Sequence, residues 1–431
     1  MTYEEALNYI HSTPNFSRKA SLERMNALMA RLGNPQDRLS FVHIAGTNGK
    51  GSTAAMTASI LQSAGYHTGL YISPYLERFN ERIQLDGKSI PDGDLARVTE
   101  QVQDAVEAIT SEGVESPNEF ERVTAIAFCW YAEKETDIVV LEVGLGGRYD
   151  ATNIILPPLA CAITSISLDH TAVLGNTVAE IAGEKAGILK EGSVCVLSPN
   201  QPEDVVRVVR SAAADSGAEL VESSTDMLSG FACNRYESTF TWEGEQYALP
   251  LIGRFQEDNV CTVLDLVRCL NCRGFSISRS AISDGLRTVQ WPGRMELLAG
   301  GTVLLDCCHN PGAISALCQE LDTTFHGVPI TAVMGMLKDK DYHIGLRLIA
   351  SRSSSFYAVS PPSPRALPLK DIQAEASAVC HKVVPCSSVE EAISLALSAR
   401  ESNGIVLICG SIPLVGMARE IIQNSFENST N

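Results

Sequence analysis

Positive charge is scarce in this sequence. Lysine and arginine together number 33, against 51 aspartates and glutamates, and the formal net charge is −18. A field of that sign repels nucleic-acid backbones and anionic lipid surfaces, and no basic stripe interrupts it. The composition therefore argues against a nucleic-acid partner. An anionic nucleotide would have to be held by a few local donors.

Long apolar runs and secretory features are also missing. No stretch approaches the roughly 20 apolar residues of a membrane helix. The acidic start, Met1–Glu5, lacks the basic and apolar parts of a secretory signal. The 13 cysteines are scattered instead of forming the dense framework of a small secreted domain. We therefore expect a cytoplasmic protein with reduced thiols and no membrane partner. The lone C-x-x-C, Cys269 to Cys272, has no second pair that would favour a metal site.

Strand-like apolar runs alternate with longer amphipathic stretches, which is typical of an α/β protein with a mostly parallel sheet. At 431 residues, two domains of unequal size are expected. The first series contains predicted strands at Phe41–Ala45, Ile138–Val143, Ala160–Ile166 and Val194–Leu197, and predicted helices at Ser52–Ala64 and Glu121–Lys134. Short alternating segments within Phe231–Leu251 predict a small antiparallel addition that decorates the main sheet.

A second α/β series follows a segment that breaks regular structure. Pro292 and Gly293 lie in Trp291–Arg294, so we place a domain junction near residue 295. The predicted domains are 1–295 and 296–431, of which the second is smaller and Rossmann-like. Its predicted strands are Thr302–Asp306, Ile330–Met334, Phe356–Val359 and Ile405–Cys409. The final residues, Asn428–Asn431, are expected to fray.

The strongest local motif is a glycine loop between a predicted strand and a predicted helix. Glycines let backbone N–H groups close around phosphate oxygens, and the helix N-terminus adds partial positive charge. A lysine at this spacing reaches the β and γ phosphates. We therefore predict a phosphate-binding loop made of Gly46, Thr47, Asn48, Gly49, Lys50, Gly51 and Ser52.

The loop departs from the common ending, in which a hydroxyl residue follows the lysine and binds Mg²⁺. Gly51 stands at that position, and Ser52 lies one residue too far along the helix. The metal must therefore take an oxygen ligand from elsewhere in the chain.

An ordered series of motifs resembles the folylpolyglutamate synthases, which are Mur-ligase-like amide ligases. The resemblance spans nearly the whole chain. Its motifs are Gly46–Ser52, Ser73-Pro74, Arg78–Arg82, Glu142–Asn153, Leu168–His170, Gly183–Gly187, Trp291–Glu296, Asp306–Pro311, Lys338–Asp341 and Ser363–Arg365.

The resemblance implies a site. Ser73, Glu142 and His170 would ligate Mg²⁺, and Ser73 would supply the hydroxyl that Gly51 lacks. Glu142 closes an apolar strand, and the carboxyl end of a strand faces the crevice where α/β sheets bind ligands. Lys185 would be carbamylated by CO₂ and hold a second Mg²⁺, which requires a neutral amine and hence burial. The implied catalytic residues are Lys50, Glu142, His170 and Lys185.

For the second domain, the resemblance implies further ligand contacts. Asn259, Arg294 and Asp306 would reach the nucleotide, and His309 and Ser411 would bind the incoming glutamate. The implied reaction is ATP-dependent addition of L-glutamate to the glutamyl carboxylate of a reduced folate, through an acyl-phosphate. The enzyme is expected to be a monomer.

Two departures from the family pattern keep alternatives open. Cys307 and Cys308 replace the usual Gly-Ala between Asp306 and His309, which removes a glycine's backbone freedom. The stretch before Leu22 lacks the Asp-Leu-Gly-Leu of relatives that also act on dihydropteroate. A bifunctional dihydrofolate and folylpolyglutamate synthase stays possible. A Mur-type cell-wall peptide ligase fits less well because of Gly51 and the Ser73-Pro74 segment. A nucleotide-hydrolysing switch fits less well because no guanine-reading Asn-Lys-x-Asp is present.

Overall fold

The computed structural model describes residues 1–13 and 21–427, so the predicted fraying of Asn428–Asn431 lies outside the described residues. The chain divides into two compact units. One is built from residues 1–227 and 258–288, and the other from residues 228–257 and 289 onward. Each unit is thus discontinuous in sequence, unlike the predicted ranges 1–295 and 296–431. The division at residue 295 stays a prediction about which part of the chain carries which function.

The first unit contains an eight-stranded sheet in the order β4-β3-β2-β5-β1-β6-β7-β8. The parallel strands are, in spatial order, β2, β5, β1, β6, β7 and β8. Strands β3 and β4 extend the sheet beyond β2 with antiparallel pairing. Their bounds are β1 Phe41–Ala45, β2 Thr68–Tyr71, β3 Ile83–Leu85, β4 Lys88–Ser89, β5 Ile138–Glu142, β6 Ala160–Ile163, β7 Val194–Leu197 and β8 Glu219–Glu222. The inner strands β1, β5, β6 and β7 are buried along their whole length, which explains why they appear as continuous apolar runs.

Ten helices of the described part of the chain belong wholly or mostly to this unit. They are α1 Tyr3–His11, α2 Glu23–Arg31, α3 Lys50–Ser63, α4 Asp92–Ser111, α5 Glu119–Glu133, α6 Thr171–Leu174, α7 Val178–Ala186, α8 Glu203–Ser216, α9 Gln256–Cys272 and α10 Arg279–Thr288. Capping boxes start α5 and α7, through Asn118 with Glu121 and Thr177 with Glu180. Each box satisfies otherwise unpaired N–H groups of a first helical turn.

The second unit contains a six-stranded sheet in the order β12-β13-β17-β14-β15-β16, parallel except for β12. Its strands are β12 Glu296–Leu298, β13 Val303–Asp306, β14 Ile330–Met334, β15 Ser355–Ala358, β16 Val383–Pro385 and β17 Ile405–Cys409. Its helices are α11 Pro311–Asp322, α12 Tyr342–Ala350, α13 Leu369–Ser377, α14 Val389–Ala399 and α15 Ile412–Glu427. The α/β prediction is confirmed. Four of the eight predicted strands have the predicted bounds, and the other four have ends shifted by one to three residues.

The predicted antiparallel strands exist, but the prediction that they decorate the main sheet is wrong. β9 Leu228–Cys233, β10 Ser238–Trp242 and β11 Glu245–Leu249 form a separate three-stranded sheet in the order β11-β10-β9, within the second unit. The rings of Phe231, Phe240 and Tyr247 stack across it, with centroids 6.2 and 5.5 Å apart. These cross-strand pairs stabilise the small sheet on its own face.

None of the helices in the described part of the chain combines the length and the apolar composition that a membrane crossing requires.

Candidate functional site

The glycine loop lies at the carboxyl end of β1, the central strand of the first sheet. Helix α3 begins at Lys50, and Gly49 is its N-cap with φ of 88° and no side-chain cap. The N-cap residue therefore has no side chain that could accept the first N–H groups of α3, as is usual where a helix N-terminus binds phosphate. A β-carbon on Gly49 would overlap the side-chain oxygen of Asn259, and one on Gly46 would overlap the hydroxyl of Thr164. Both glycines are needed because other chain segments approach too closely.

Residues after β6 hold the first half of this loop. The Thr47 N–H donates to the Ser165 carbonyl at 2.9 Å, and the Thr47 hydroxyl donates to the Ser167 carbonyl at 3.1 Å. The Thr164 hydroxyl donates to the Asn48 carbonyl at 2.8 Å. The predicted strand Ala160–Ile166 ends at Ile163 because the following residues leave the sheet to make these bonds. The side chain of Thr47 thus anchors the loop.

Lys50, Glu142 and Ser73 meet beside the loop. Lys50 Nζ lies 3.3 Å from the Thr47 carbonyl and 3.9 Å from Glu142 Oε1. Glu142 ends β5 and is 5% exposed, and its Oε2 accepts the Ser73 N–H at 3.2 Å. Since β5 lies between β1 and β2, the chain order around the sheet brings these three predicted residues together.

Lys185 approaches the same loop from α7. Its side chain is buried, and Nζ donates to the Gly46 carbonyl at 2.7 Å. Burial, followed by the positive charge of Lys50, lowers the pKa of Lys185 to about 7. The carboxylates of Asp169 and Asp150 act in the opposite direction but are smaller influences. With this pKa about half of the lysine is neutral at pH 7, and carbamylation requires the neutral amine.

His170 lies further out on the same edge of the sheet. It precedes α6 with φ of 50°, its side chain is 42% exposed, and its Nε2 is 3.9 Å from Asp169 Oδ2. Within residues 1–13 and 21–427, no three His, Cys, Asp or Glu side chains are grouped closely enough to form a metal site by themselves. Mg²⁺ commonly takes only one or two carboxylates together with water and substrate phosphates. The Glu142 carboxylate and the Ser73 hydroxyl beside a phosphate loop fit that requirement.

Asn259 is the predicted nucleotide residue on α9. It is buried, and its side-chain oxygen lies directly over Gly49. The structure therefore brings this residue to the loop across more than 200 positions of sequence.

Asp306, His309 and Ser411 gather at one edge of the second sheet. Asp306 ends β13, and its carboxylate accepts the N–H groups of Met295 and Cys308, both at 2.9 Å. Burial raises the pKa of Asp306, and the nearby charge of Arg294 lowers it. His309 Nδ1 lies 2.9 Å from the Cys307 carbonyl, so this nitrogen carries a hydrogen and donates it.

Ser411 follows β17, which pairs with β13. It is 1% exposed, and its hydroxyl has no hydrogen-bond partner within the described part of the chain. A buried hydroxyl without a partner costs free energy, so Ser411 is poised for a ligand. The cysteines in the departed motif, Cys307 and Cys308, are both buried.

A further polar group escaped sequence reasoning. The Arg82 side chain is 8% exposed, and its guanidinium carbon lies 5.5 Å from the ring centre of Phe79 and 5.8 Å from that of Phe120. Its Nε has no acceptor among the described residues. The Arg82 carbonyl also accepts the N–H of Ile72, the residue before Ser73. Only the alternation of aromatic and charged residues around Arg78–Arg82 could have signalled this aromatic-lined cation.

Comparisons with known proteins agree on one group of relatives. Residues 44–267 match the Mur ligase middle domain, and residues 293–412 match the Mur ligase glutamate ligase domain. The chain is 37% identical to the dihydrofolate synthase/folylpolyglutamate synthase of Bacillus subtilis, covering 97% of this chain and 98% of the relative. It is 33% identical to the folylpolyglutamate synthase of Lacticaseibacillus casei, covering 98% and 99%.

Solved structures give the same result. The Mycobacterium tuberculosis folylpolyglutamate synthase complexed with ADP and AMPPCP superposes with a TM-score of 0.88 at 30% identity, covering 97% of this chain and 99% of that one. Escherichia coli FolC in complex with DHPP and ADP superposes with a TM-score of 0.86 at 29% identity, covering 99% and 98%.

Proposed function

The chain belongs to the Mur ligase family, within its folylpolyglutamate and dihydrofolate synthases, and is an ATP-dependent ligase; on that premise we propose that it adds L-glutamate to the glutamyl carboxylate of tetrahydrofolate. The observation that carries the proposal is the convergence of Lys50, Glu142, Ser73 and Lys185 on one glycine loop. A nucleotide-hydrolysing switch would need the loop, but it would not need a buried lysine of lowered pKa against it.

Forming an amide from a carboxylate in water requires activation. A folate carboxylate oxygen attacks the γ-phosphorus of ATP, ADP leaves, and an acyl-phosphate forms. The glutamate amine then attacks the acyl carbon, and inorganic phosphate leaves from the tetrahedral intermediate. Lys50 and the N–H groups of α3 stabilise charge on the transferring phosphate, so the protein contributes mainly position and electrostatics.

Two Mg²⁺ ions belong to this proposal. Ser73, Glu142 and His170 would hold the first, and a carbamate on Lys185 would hold the second. Mg²⁺ would neutralise charge on the attacking and leaving oxygens. The bond from Lys185 Nζ to the Gly46 carbonyl is compatible with the modification, because a carbamate nitrogen retains one hydrogen to donate. A carbonyl ¹³C resonance from labelled bicarbonate, absent in Lys185→Ala, would test it.

The remaining groups are assigned by their chemistry. Arg82, which is paired with Glu119 and lies beside the partly exposed Phe120 ring, is proposed for a flat, polar heterocycle such as the pterin of a folate, which would accept from Nε. Asn259, Arg294 and Asp306 are proposed for the nucleotide. His309 and the unpartnered Ser411 hydroxyl are proposed for the incoming glutamate.

Dihydrofolate synthase activity is a second candidate, because the Bacillus subtilis relative carries both names over the full length of the chain. The deciding assay is ATP-dependent phosphate release with tetrahydrofolate or dihydropteroate, each with and without glutamate. Release that needs tetrahydrofolate and glutamate together supports the proposal, and release with dihydropteroate and glutamate adds the second activity. Release without either substrate would refute a ligase. We further propose that the protein is cytoplasmic and monomeric. Sedimentation of the purified protein can check the oligomeric state.

A further inference from the structure

A buried turn that contains none of the proposed catalytic residues connects segments of the chain that carry them. We propose that Asp150–Asn153 is a positioning hub for Lys185, and that His43 and Thr152 tie this hub to the strand that carries the phosphate loop. The proposal rests on the proposed function for its kinetic consequences, but its structural core concerns where Lys185 is held.

The first link joins β1 to the hub. The Thr152 hydroxyl donates to Asp150 Oδ1 at 2.6 Å, so it must accept from His43 Nε2 at 2.8 Å. His43 is fully buried, and burial lowers its pKa to about 3, with the charge of Lys190 acting in the same direction. Its ring is therefore neutral, with the hydrogen on Nε2. Its Nδ1 has no partner in the described part of the chain, so Thr152 is the polar contact that orients the ring.

The second link runs from Asp150 to the backbone of α7. The Asp150 carboxylate also accepts the N–H groups of Leu145 at 2.8 Å and Thr152 at 3.0 Å, which closes the loop after β5. A β-carbon on Gly147 in that loop would lie 2.8 Å from the Lys185 carbonyl oxygen. The loop is thus seated directly on the helix turn that carries Lys185.

The third link fixes the end of the same helix. Asn153 Nδ2 donates to the Gly187 carbonyl at 2.9 Å, two residues beyond Lys185. Lys190 Nζ donates in turn to the Asn153 carbonyl at 2.8 Å. The turn is therefore bonded twice to the segment that follows the lysine.

These links close a circuit. From His43 the chain runs three residues along β1 to Gly46, whose carbonyl accepts Lys185 Nζ at 2.7 Å. From Lys185 the path returns through Gly187, Asn153 and Thr152 to His43. Because these bonds are buried or partly buried and the groups have fixed directions, removing one hydroxyl should change the position of Lys185 relative to the loop.

The experiment compares Thr152→Val, which keeps the shape and removes the hydroxyl, with Thr152→Ser, which keeps the hydroxyl. A matched control is Thr136→Val, since Thr136 is also buried, donates to the Tyr131 carbonyl at 3.0 Å, and precedes the opposite end of β5. Turnover per active site, the Mg²⁺ requirement and the Lys185 Nζ to Gly46 O distance in crystal structures are measured for each.

We expect Thr152→Val to lower kcat and raise the Mg²⁺ requirement, each by about tenfold, with a lengthened Nζ to O distance. Thr152→Ser should regain most of the activity. Thr136→Val should lower stability alone. His43→Met should lower kcat as much as Thr152→Val does, and the kcat of the double variant should be no lower than that of either single variant. His43→Gln keeps a donor for Thr152 and should retain activity.

The opposite results are equally clear. Thr152→Val with normal kcat, normal Mg²⁺ requirement and an unchanged Nζ to O distance overturns the hub, as does strict additivity with His43→Met. If Thr152→Val does not fold, the His43→Gln and His43→Met pair decides by the same readouts. A wild-type protein without folate-dependent phosphate release would instead refute the proposed function, and the distance measurement would still decide the hub.

Discussion

The buried amine of Lys185 makes the stability of the first unit depend on pH, and replacing this lysine with methionine should expose that dependence. In the unfolded chain the amine has an ordinary pKa of 10.5, whereas in the folded protein it titrates at about 7. Each unit of difference corresponds to about 1.4 kcal/mol. The charged lysine therefore lowers the free energy of unfolding by about 4 kcal/mol at pH 7.

The sign follows from proton binding. Between pH 7 and 10.5 the unfolded chain retains a proton that the folded chain has lost, so stability rises with pH in this range. Below pH 7 both states are protonated, and the cost is constant. Relative to wild type, Lys185→Met should be most favoured at and below pH 7, and its advantage should shrink by about 1.4 kcal/mol per pH unit above it. Loss of the bond to the Gly46 carbonyl, about 1 kcal/mol, offsets part of the gain at every pH.

Urea unfolding from pH 6 to 9.5 in bicarbonate-free buffer is the assay. Of the chain's three tryptophans, Trp130 lies in the first unit, and Trp242→Phe with Trp291→Phe leaves it as the sole reporter. Other groups titrate over this range, but they cancel in the difference between wild type and Lys185→Met. Lys88→Met, at an exposed position, controls for simple loss of a lysine.

A difference that stays constant from pH 6 to 9.5 would refute this reasoning, since it would mean that the folded protein keeps the amine charged throughout. It would also remove the basis for a carbamate, because CO₂ reacts with the neutral amine. A stability difference between Lys185→Met and wild type that falls with rising pH, and then changes when bicarbonate is added, would support both the lowered pKa and the carbamate.

Further predictions concern the loop and the metal. Lys50→Ala should abolish turnover while the circular dichroism spectrum and melting temperature stay near normal, and near-normal turnover would contradict the assignment of Lys50 to the phosphates. Ser73→Ala should raise the Mg²⁺ needed for half-maximal activity far more than Ser52→Ala does, because Ser73 lies against Glu142; equal shifts would contradict the role of Ser73. Gly46→Ala should lower the free energy of unfolding by about 1–3 kcal/mol, because the added β-carbon meets a Thr164 side chain that is held by its own hydrogen bond. Urea unfolding measures this change, and wild-type stability would show that the segment after β6 moves freely.

Local patterns predicted the parts of the site that are continuous in sequence. The loop from Gly46 to Ser52 could be identified because its glycines, its lysine and the flanking strand and helix lie within a few residues of one another. Buried parallel strands such as β1 and β7 appear as uninterrupted apolar runs, and both were predicted with correct bounds. Resemblance added Ser73, Glu142 and Lys185, which spacing alone could not have selected.

Contacts between distant segments could not be predicted in this way. The bond from Lys185 to the Gly46 carbonyl spans 139 positions, and nothing near either residue in sequence signals the other. The same is true of His43 and Thr152, 109 positions apart, since a lone histidine in an apolar strand shows no sign of its partner. The separate sheet of β9, β10 and β11 was missed for a related reason. Alternation predicts strands, but it does not say which sheet they join.

The missing hydroxyl at Gly51 connects sequence and fold most directly. A phosphate loop without that hydroxyl needs an oxygen at the same place, and the sheet order limits where one can come from. In the sheet β5 lies beside β1, and β2 lies beside β5. Because these three strands are parallel, the residues that follow β2 and β5 lie at the same edge of the sheet as the loop. Ser73 comes two residues after β2, and its backbone is already bonded to the Glu142 carboxylate. The ligand that we propose for Mg²⁺, Ser73, therefore follows the strand that lies two places from β1 in the sheet.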